Sequence, residues 1–374
     1  MKKLKLLTMI AAIFLFCGVV NVNAATVDSE KADERGQFYV GSDGTNVEVT
    51  KEEDGTFSVK LTGDAIQDLI IFEGEEVVLD LNGFTLTNFT DACEAIKVRH
   101  GGKLTIMDSS EAGTGTVTQK ETSVFSGITN QGTLIINSGN FTTSLSQYIL
   151  RNENDLTING GVFTNNSKDT SAVGNIVNLD SSVPEDVTPT MVINQGTFEA
   201  VSNAVKNNEN SKVEIIGGTF TSENAYALDN WADATVSGGS LTSLNNSAIR
   251  YGDSGNTTSA SLIITGGKIT SSELAEDITI DDENAVIDLK ANLEITGGTF
   301  TSDISEYLPT DKELVEDENG NLVVVEKKEE TPATPVENPE ENPDTSDINV
   351  VFFASLCLLG LAGLTYTLRR RKFN

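Results

Sequence analysis

One short phrase returns seven times between Leu134 and Thr301, and it constrains the fold more than any other feature of the chain. In each copy apolar and polar residues alternate, a glycine-rich bend follows, and an apolar residue closes the phrase. The closing positions are 21 to 35 residues apart, and such a recurrence is the signature of a repeat architecture. The copies are Leu134–Phe141, Leu156–Phe163, Met191–Phe198, Val213–Phe220, Ala234–Leu241, Leu262–Ile269 and Leu293–Phe300.

Each copy predicts a strand, a tight corner and a second strand. In one of them Leu156 and Ile158 share a parity and face inward, whereas Thr157 faces outward. Gly160–Gly161 then turns the chain, because glycine adopts positive φ without a steric cost, and Phe163 points inward again. A single unit cannot bury its apolar side, so equivalent strands of successive units are expected to stack about 4.8 Å apart.

A third strand is predicted upstream of most copies, where an apolar residue, a variable residue and asparagine recur. The segments are Ile128–Asn130, Ile149–Asn152, Ile176–Asn178, Ala204–Asn207 and Ala227–Asn230. Three strands in roughly 22 residues predict a triangular parallel coil, with the asparagines at a corner and hydrogen-bonded in a ladder. The longer spacings predict insertions that form loops on the outside, at Asn178–Pro189, Tyr251–Ser261 and Ser271–Asn284.

Two other repeat architectures fit the pattern less well. Helical repeats are disfavoured because the apolar positions alternate with period two and Gly, Thr, Asn and Ser are dense. A β-propeller needs about 40 residues and four strands per blade, and the intervals between glycine corners are too short for that. We therefore predict an all-β fold, a single-stranded parallel β-helix.

The charge balance excludes two classes of partner. The chain has 56 acidic and 25 basic residues, a net charge of −31, and many of the basic residues lie near its two ends. Such an acidic body repels nucleic acid and anionic membrane surfaces. It is able to attract cations, although a solvated, self-repelling surface is the simpler interpretation. Of the three cysteines, only Cys93 belongs to the body, so no internal disulfide is expected.

The two ends predict export and retention at a surface. A basic start, an apolar run from Leu6 to Val20 and small residues before Ala24 predict a signal peptide cut after Ala24. A lipoprotein leader at Cys17 is the alternative, disfavoured by the bulky Phe16 before it. The predicted segments are a signal peptide (1–24), an acidic lead-in or N-terminal cap (25–56), β-helix repeats (57–306), a cap hairpin (307–326), a disordered linker (327–347), a transmembrane helix (348–368) and a basic cytoplasmic tail (369–374).

Two phrases carry a family resemblance. Val78–Gly83 followed by Gly102–Ser109 resembles the opening of pectin-lyase-like, right-handed β-helix surface proteins of Gram-positive bacteria, and Gly297–Leu308 resembles the usual end of their repeats. The resemblance spans about residues 57–325. It implies the architecture rather than the activity, because this fold hosts enzymes and binding proteins alike.

The C-terminal segment resembles the sorting signals of sortase transpeptidases. The pentapeptide Asn342-Pro343-Asp344-Thr345-Ser346 precedes an apolar span and a basic end. By resemblance, cleavage follows Thr345 and links it to a peptidoglycan amine, with a sortase as the partner. Asn342 and Ser346 depart from the common Leu-Pro-x-Thr-Gly form. An uncleaved membrane anchor, spanning the bilayer through 348–368, is the alternative.

The sequence contains no recognisable acid/base pair, zinc spacing or phosphate loop. Lyases and hydrolases of the resembled fold place carboxylates and a Lys or Arg along one face, and the candidates here are Asp80, Lys97, Arg99, His100, Arg151, Lys206, Asp229 and Arg250. Several of them form a mixed stripe that could hold an acidic sugar chain. We assign no catalytic residue and no metal ligand, and prefer a non-catalytic adhesin of host or matrix glycans over a surface polysaccharide lyase or glycoside hydrolase.

Glycan contacts and cofactors complete the predictions. Trp231 and Tyr251, at corners expected to be exposed, and Arg250 on the stripe are the predicted glycan contacts. No cofactor is expected. The acidic loop Asp317–Asn321 lacks the spacing and the downstream Glu of an EF-hand, so a plain turn is preferred over a calcium site.

Overall fold

The computed structural model describes residues 46–89, 94–123, 125–143, 148–175, 187–253, 255, 259–283 and 285–328. The chain divides into two compact units, Met1–Lys327 and Lys328–Asn374, and the described residues belong to the first unit except for Lys328. The predicted signal peptide (1–24), sorting motif (342–346), transmembrane helix (348–368) and basic tail (369–374), and the three cysteines, lie outside the described residues.

The described residues form three sheets. Sheet 1 consists, in spatial order, of Val47–Lys51, Phe57–Leu61, Glu76–Asp80, Lys103–Met107, Thr133–Ile136, Asp155–Ile158, Thr190–Ile193, Lys212–Ile215, Asp233–Val236, Ser261–Ile264 and Leu293–Ile295. Sheet 2 consists of Ala65–Ile66, Thr85–Thr87, Thr116–Thr118, Asn140–Thr143, Val162–Asn165, Thr197–Ala200, Thr219–Ser222, Ser240–Ser243, Lys268–Thr270, Thr299–Phe300, Leu322–Glu326 and Lys312–Glu316. Sheet 3 consists of Leu69–Ile71, Ile96–Val98, Ile128–Asn130, Leu150–Asn152, Val173–Asn175, Val205–Asn207, Leu228–Asn230, Ile249–Gly252 and Ile278–Asp281.

The chain passes from sheet 1 to sheet 2 to sheet 3 and then back to sheet 1, once per coil. Each strand pairs in parallel with its equivalent in the next coil, as Leu134 with Leu156 and Leu156 with Met191. Two short 3-10 helices, Lys290–Asn292 and Ser305–Tyr307, complete the described elements. The prediction of an all-β fold of stacked parallel strands is confirmed, and the arrangement is compatible with a β-helix solenoid.

The closing apolar residues of the repeat stack on one another inside the coil. The rings of Phe141, Phe163, Phe198 and Phe220 follow each other with centroids 4.7 Å apart and nearly parallel planes. All four side chains are fully buried. The spacing equals the distance between paired strands, so identical residues in register form a continuous column.

The predicted asparagine ladder is confirmed at the end of the sheet 3 strands. Asn130 Nδ2 donates to Asn152 Oδ1 at 2.7 Å, and Asn207 Nδ2 donates to Asn230 Oδ1 at 2.8 Å. All four residues are fully buried. Asn130 Nδ2 also donates to the backbone oxygen of Asp155 at 2.9 Å. The ladder therefore pairs buried backbone groups at the corner between sheet 3 and sheet 1. An unpaired buried carbonyl at this corner would be costly.

Two details of the predicted coil are wrong. The strand of sheet 3 in this coil is Val173–Asn175, which pairs with Leu150–Asn152 and Val205–Asn207. It lies three residues before the predicted segment Ile176–Asn178, which is outside the described residues. Both segments begin with an apolar residue and end in asparagine, but only the first has glycine at its centre. A Cβ on Gly174 would lie 2.7 Å from Cε1 of Tyr148, so the ring needs that glycine. The stretch predicted as the insertion 271–284 also contains the sheet 3 strand Ile278–Asp281.

Antiparallel strands lie at both ends of the described coil. Val47–Lys51 pairs antiparallel with the first parallel strand of sheet 1, Phe57–Leu61. At the other end Lys312–Glu316 and Leu322–Glu326 form a hairpin, and the second of these strands pairs antiparallel with Thr299–Phe300. Such strands occupy edges that would otherwise be open to other chains. Within the described residues, no helix has the length and apolar character needed to cross a bilayer.

Candidate functional site

The central residues of the sheet 3 strands, from Ile96–Val98 onward, pair with one another and so line up across the coils. The charged residues that the sequence singled out on this strand fall on that line. The line runs through Lys97, Thr129, Arg151, Gly174, Lys206, Asp229, Arg250 and Thr279. The parallel register therefore brings together, on one face, residues that are far apart in sequence.

Arg250 is the most constrained residue on this face. Its Nε donates to Asp229 Oδ1 at 2.8 Å and its Nη2 donates to Asp229 Oδ2 at 3.0 Å, a bidentate pair. Asn203 Nδ2 donates to the same carboxylate at 3.2 Å, and Asp281 Oδ2 lies 3.9 Å from Arg250 Nη1. The Asp229 side chain is 1% exposed and that of Arg250 is 23% exposed. A fork of this kind holds the guanidinium plane in one orientation.

Two aromatic rings flank the guanidinium. The Arg250 Cζ atom lies 4.8 Å from the ring centroid of Tyr226 and 4.4 Å from that of Trp231. These distances are within the range of a cation–π interaction. Trp231 also lies against the next coil, where a Cβ on Gly252 would be 3.2 Å from its Cζ3. We call Tyr226, Asp229, Trp231, Arg250 and Asp281 the Arg250 patch.

The electrostatics of the patch reinforce this geometry. Burial alone would lower the pKa of Arg250, but its hydrogen bonds to Asp229 and the charge of that carboxylate raise the pKa above its ordinary value. Arg250 therefore stays charged, and both oxygens of Asp229 accept hydrogen bonds from it. A carboxylate held in this way is poorly placed to act as a general base.

Tyr251 does not lie at an exposed corner, and the expectation that it stacks on a sugar is wrong. Its side chain is fully buried, and its hydroxyl donates to the backbone oxygen of Ala260 at 2.9 Å. Burial, followed by the charge of Asp233, raises the pKa of the phenol. The physical reason is register: Tyr251 pairs with Asn230, so it occupies the position of the asparagine ladder and bonds a corner carbonyl as the asparagines do.

A second polar cluster lies on the same face, nearer the N-terminus. Arg151 Nε is 2.6 Å from Glu153 Oε1, Gln131 Nε2 donates to Glu153 Oε2 at 2.9 Å, and Lys97 Nζ is 3.9 Å from Glu94 Oε1. Burial raises the pKa of Glu153, against the opposing effect of the Arg151 charge.

The remaining sequence candidates have structural surroundings. Asp80 accepts hydrogen bonds from the backbone nitrogens of Asn82 and Ser109, both at 2.9 Å, and so holds a corner. His100 is exposed in a turn. In the predicted acidic loop, Asp317 Oδ1 accepts from the backbone nitrogen of Asn321 at 2.9 Å, as in a plain turn. Within the described part of the chain, no group of three or more His, Cys, Asp and Glu side chains is placed to hold a metal ion.

Two members of the patch were not predicted from the sequence. Tyr226 shares the parity of Leu228, so strict alternation puts it inside the coil. A bend at Ala227 turns it to the outer face instead. Asp281 is the last residue of a strand whose sequence was assigned to an insertion. Aligning the sequence of each coil with the strand Leu228–Asn230 would have found both residues.

The chain matches no protein-family model, no characterised protein and no solved structure in the three comparisons made. Its function therefore has to be argued from the geometry of the patch, since a fold hosts many unrelated activities.

Proposed function

We propose that the protein is a non-catalytic, cell-surface-displayed β-helix that binds a glycan through the Arg250 patch. The observation that carries the proposal is the guanidinium of Arg250, fixed by Asp229 between Tyr226 and Trp231. Aromatic rings held in one orientation offer an apolar surface with polar groups at its edge. Because they are ordered before the ligand arrives, binding does not have to supply the entropy of ordering them.

The same patch argues against catalysis at this position, because Arg250 engages both oxygens of its most buried carboxylate, Asp229. The alternative function, a surface polysaccharide lyase or glycoside hydrolase, is favoured by one observation elsewhere. Glu153 has a pKa raised by burial and lies 2.6 Å from Arg151, and perturbed carboxylates cluster at catalytic sites. Release of unsaturated or reducing ends from polysaccharides, abolished by Glu153→Gln, would establish the alternative.

Trp231→Ala is expected to weaken glycan binding about tenfold or more, because truncating an aromatic anchor commonly costs 2 kcal/mol or more. The measurement is the dissociation constant for glycans retained on an array, with thermal unfolding of the same samples. Phe89→Ala is the matched control: Phe89 is also aromatic and is 57% exposed, but lies outside the patch. Equal glycan binding by the wild type and Trp231→Ala would contradict the proposal.

The proposed location rests on the two ends of the chain. Export by the signal peptide 1–24 and sorting at Asn342–Ser346 would display the body outside the cell, joined to peptidoglycan by a sortase. Before processing, the apolar span 348–368 would hold the chain in the membrane. We take the coil to be right-handed, because connections between parallel strands are so in about 98% of cases.

Mass spectrometry of cell-wall digests tests the anchoring. We expect peptides that end at Thr345 and carry a peptidoglycan amine, and we expect Thr345→Ala to release the protein from the wall fraction. Recovery of the intact segment 346–374 with the body in the membrane fraction would instead identify a plain membrane anchor. Display of the body is common to both outcomes, so this measurement leaves the glycan proposal to its own test.

A further inference from the structure

The Arg250 patch contains two carboxylates and one cation. Asp229 and Asp281 lie directly beside Arg250, at 2.8 and 3.9 Å.

The cation of the patch is already paired with a carboxylate. Arg250 gives two of its five N–H groups to Asp229. Lys206 is the register partner of Asp229 on the adjacent strand and lies outside the patch. A negatively charged ligand that reached the remaining N–H groups of Arg250 would come close to the carboxylates of Asp229 and Asp281. Like-charge juxtaposition of this kind is unfavourable and is a common way to reject a ligand.

Building on the proposed function, we infer that the ligand of the Arg250 patch is an uncharged glycan and that the surrounding carboxylates exclude acidic sugars. A sugar hydroxyl both donates and accepts. It can therefore donate to the carboxylate of Asp281 and accept from the N–H groups of Arg250 that Asp229 does not use. A ligand cation would compete with Arg250, which already stacks on Tyr226 and Trp231. This inference replaces the acidic sugar chain that the mixed charge stripe suggested.

The test applies the purified full chain to an array with matched neutral, uronic-acid, sialylated and sulfated glycans. We expect neutral glycans to bind, with affinities that change less than about twofold between low and high salt, because no ion pair is formed. Preferential binding of acidic glycans, weakened by salt, would overturn the inference and leave the proposed function standing. If no glycan on the array showed binding that is lost in Trp231→Ala, the proposed function itself would be overturned.

A charge-reversal variant separates exclusion by charge from exclusion by shape. Asp281→Lys is expected to increase the array signals of acidic glycans several-fold, whereas the signals of neutral glycans fall because the hydroxyl hydrogen bond to the Asp281 carboxylate is lost. Asp311→Lys, an exposed substitution outside the patch, is the control for the change in net charge. Unchanged acidic signals in Asp281→Lys would overturn the inference that the carboxylates exclude acidic sugars.

Discussion

Phe198→Ala is expected to lower the free energy of unfolding by about 4 kcal/mol, because a large buried ring is removed and its space cannot collapse. Phe198 is fully buried and stacks on Phe163 and on Phe220, both with centroids 4.7 Å away. The strands that carry the three rings are paired to one another, so neighbouring backbone cannot move in to fill the cavity. The measurement is denaturant unfolding followed by far-UV circular dichroism.

The position of Phe198 adds a second expectation. Each coil of a solenoid contacts only its neighbours, so a weak coil divides the stack into two more independent parts. We therefore expect Phe198→Ala to broaden the unfolding transition as well as shift its midpoint. Phe198→Leu, which keeps much of the apolar volume, is expected to cost about 1.5 kcal/mol or less. A loss below about 1 kcal/mol in Phe198→Ala would show that the column is not a tightly packed core.

Gly238→Ala is expected to destabilise the protein by about 3 kcal/mol, although it adds a single methyl group. A Cβ at this position would lie 2.3 Å from the backbone oxygen of Ile216 in the preceding coil. That oxygen belongs to the backbone, so relief requires the coils to separate at this corner. Overpacking of this kind typically costs 1–3 kcal/mol. The equivalent glycines Gly266 and Gly297 have the same relation to Ser237 and Thr265, at 2.4 and 2.2 Å.

Gly113→Ala is the matched control for the glycine prediction. Gly113 has a φ of +63° and no other atom within 4 Å of a built Cβ, so alanine there meets only backbone strain. Its expected cost is about 1–2 kcal/mol. Gly238 is not among the glycines with positive φ, so the stability lost in Gly238→Ala comes from the close approach of the coils alone. Equal unfolding free energies for Gly238→Ala and the wild type would contradict the close approach of Gly238 to the backbone oxygen of Ile216.

Much of the coil could be predicted because its determinants are local and repeated. Alternation of residues such as Leu156, Thr157 and Ile158 decides which side faces inward, and the burial of their strand confirms it. The glycine corners and the asparagine ladder could be predicted for the same reason. Once one coil is assigned correctly, the repeat gives the equivalent positions in the other coils. The site could be predicted only in part: Arg250 and Trp231 were named from the sequence, whereas Tyr226 and Asp281 were missed.

The sequence by itself therefore determined the repeat, the parallel stacking and the line of charged residues on sheet 3. Tertiary structure decided that Val173–Asn175 continues sheet 3, that Tyr251 lies inside, and that Arg250 is held between two rings. The physical reason is that alternation describes one strand, while register and side-chain placement depend on the coils above and below. Tyr148 needs Gly174 in the next coil, just as Trp231 needs Gly252, and neither requirement is visible within a single repeat.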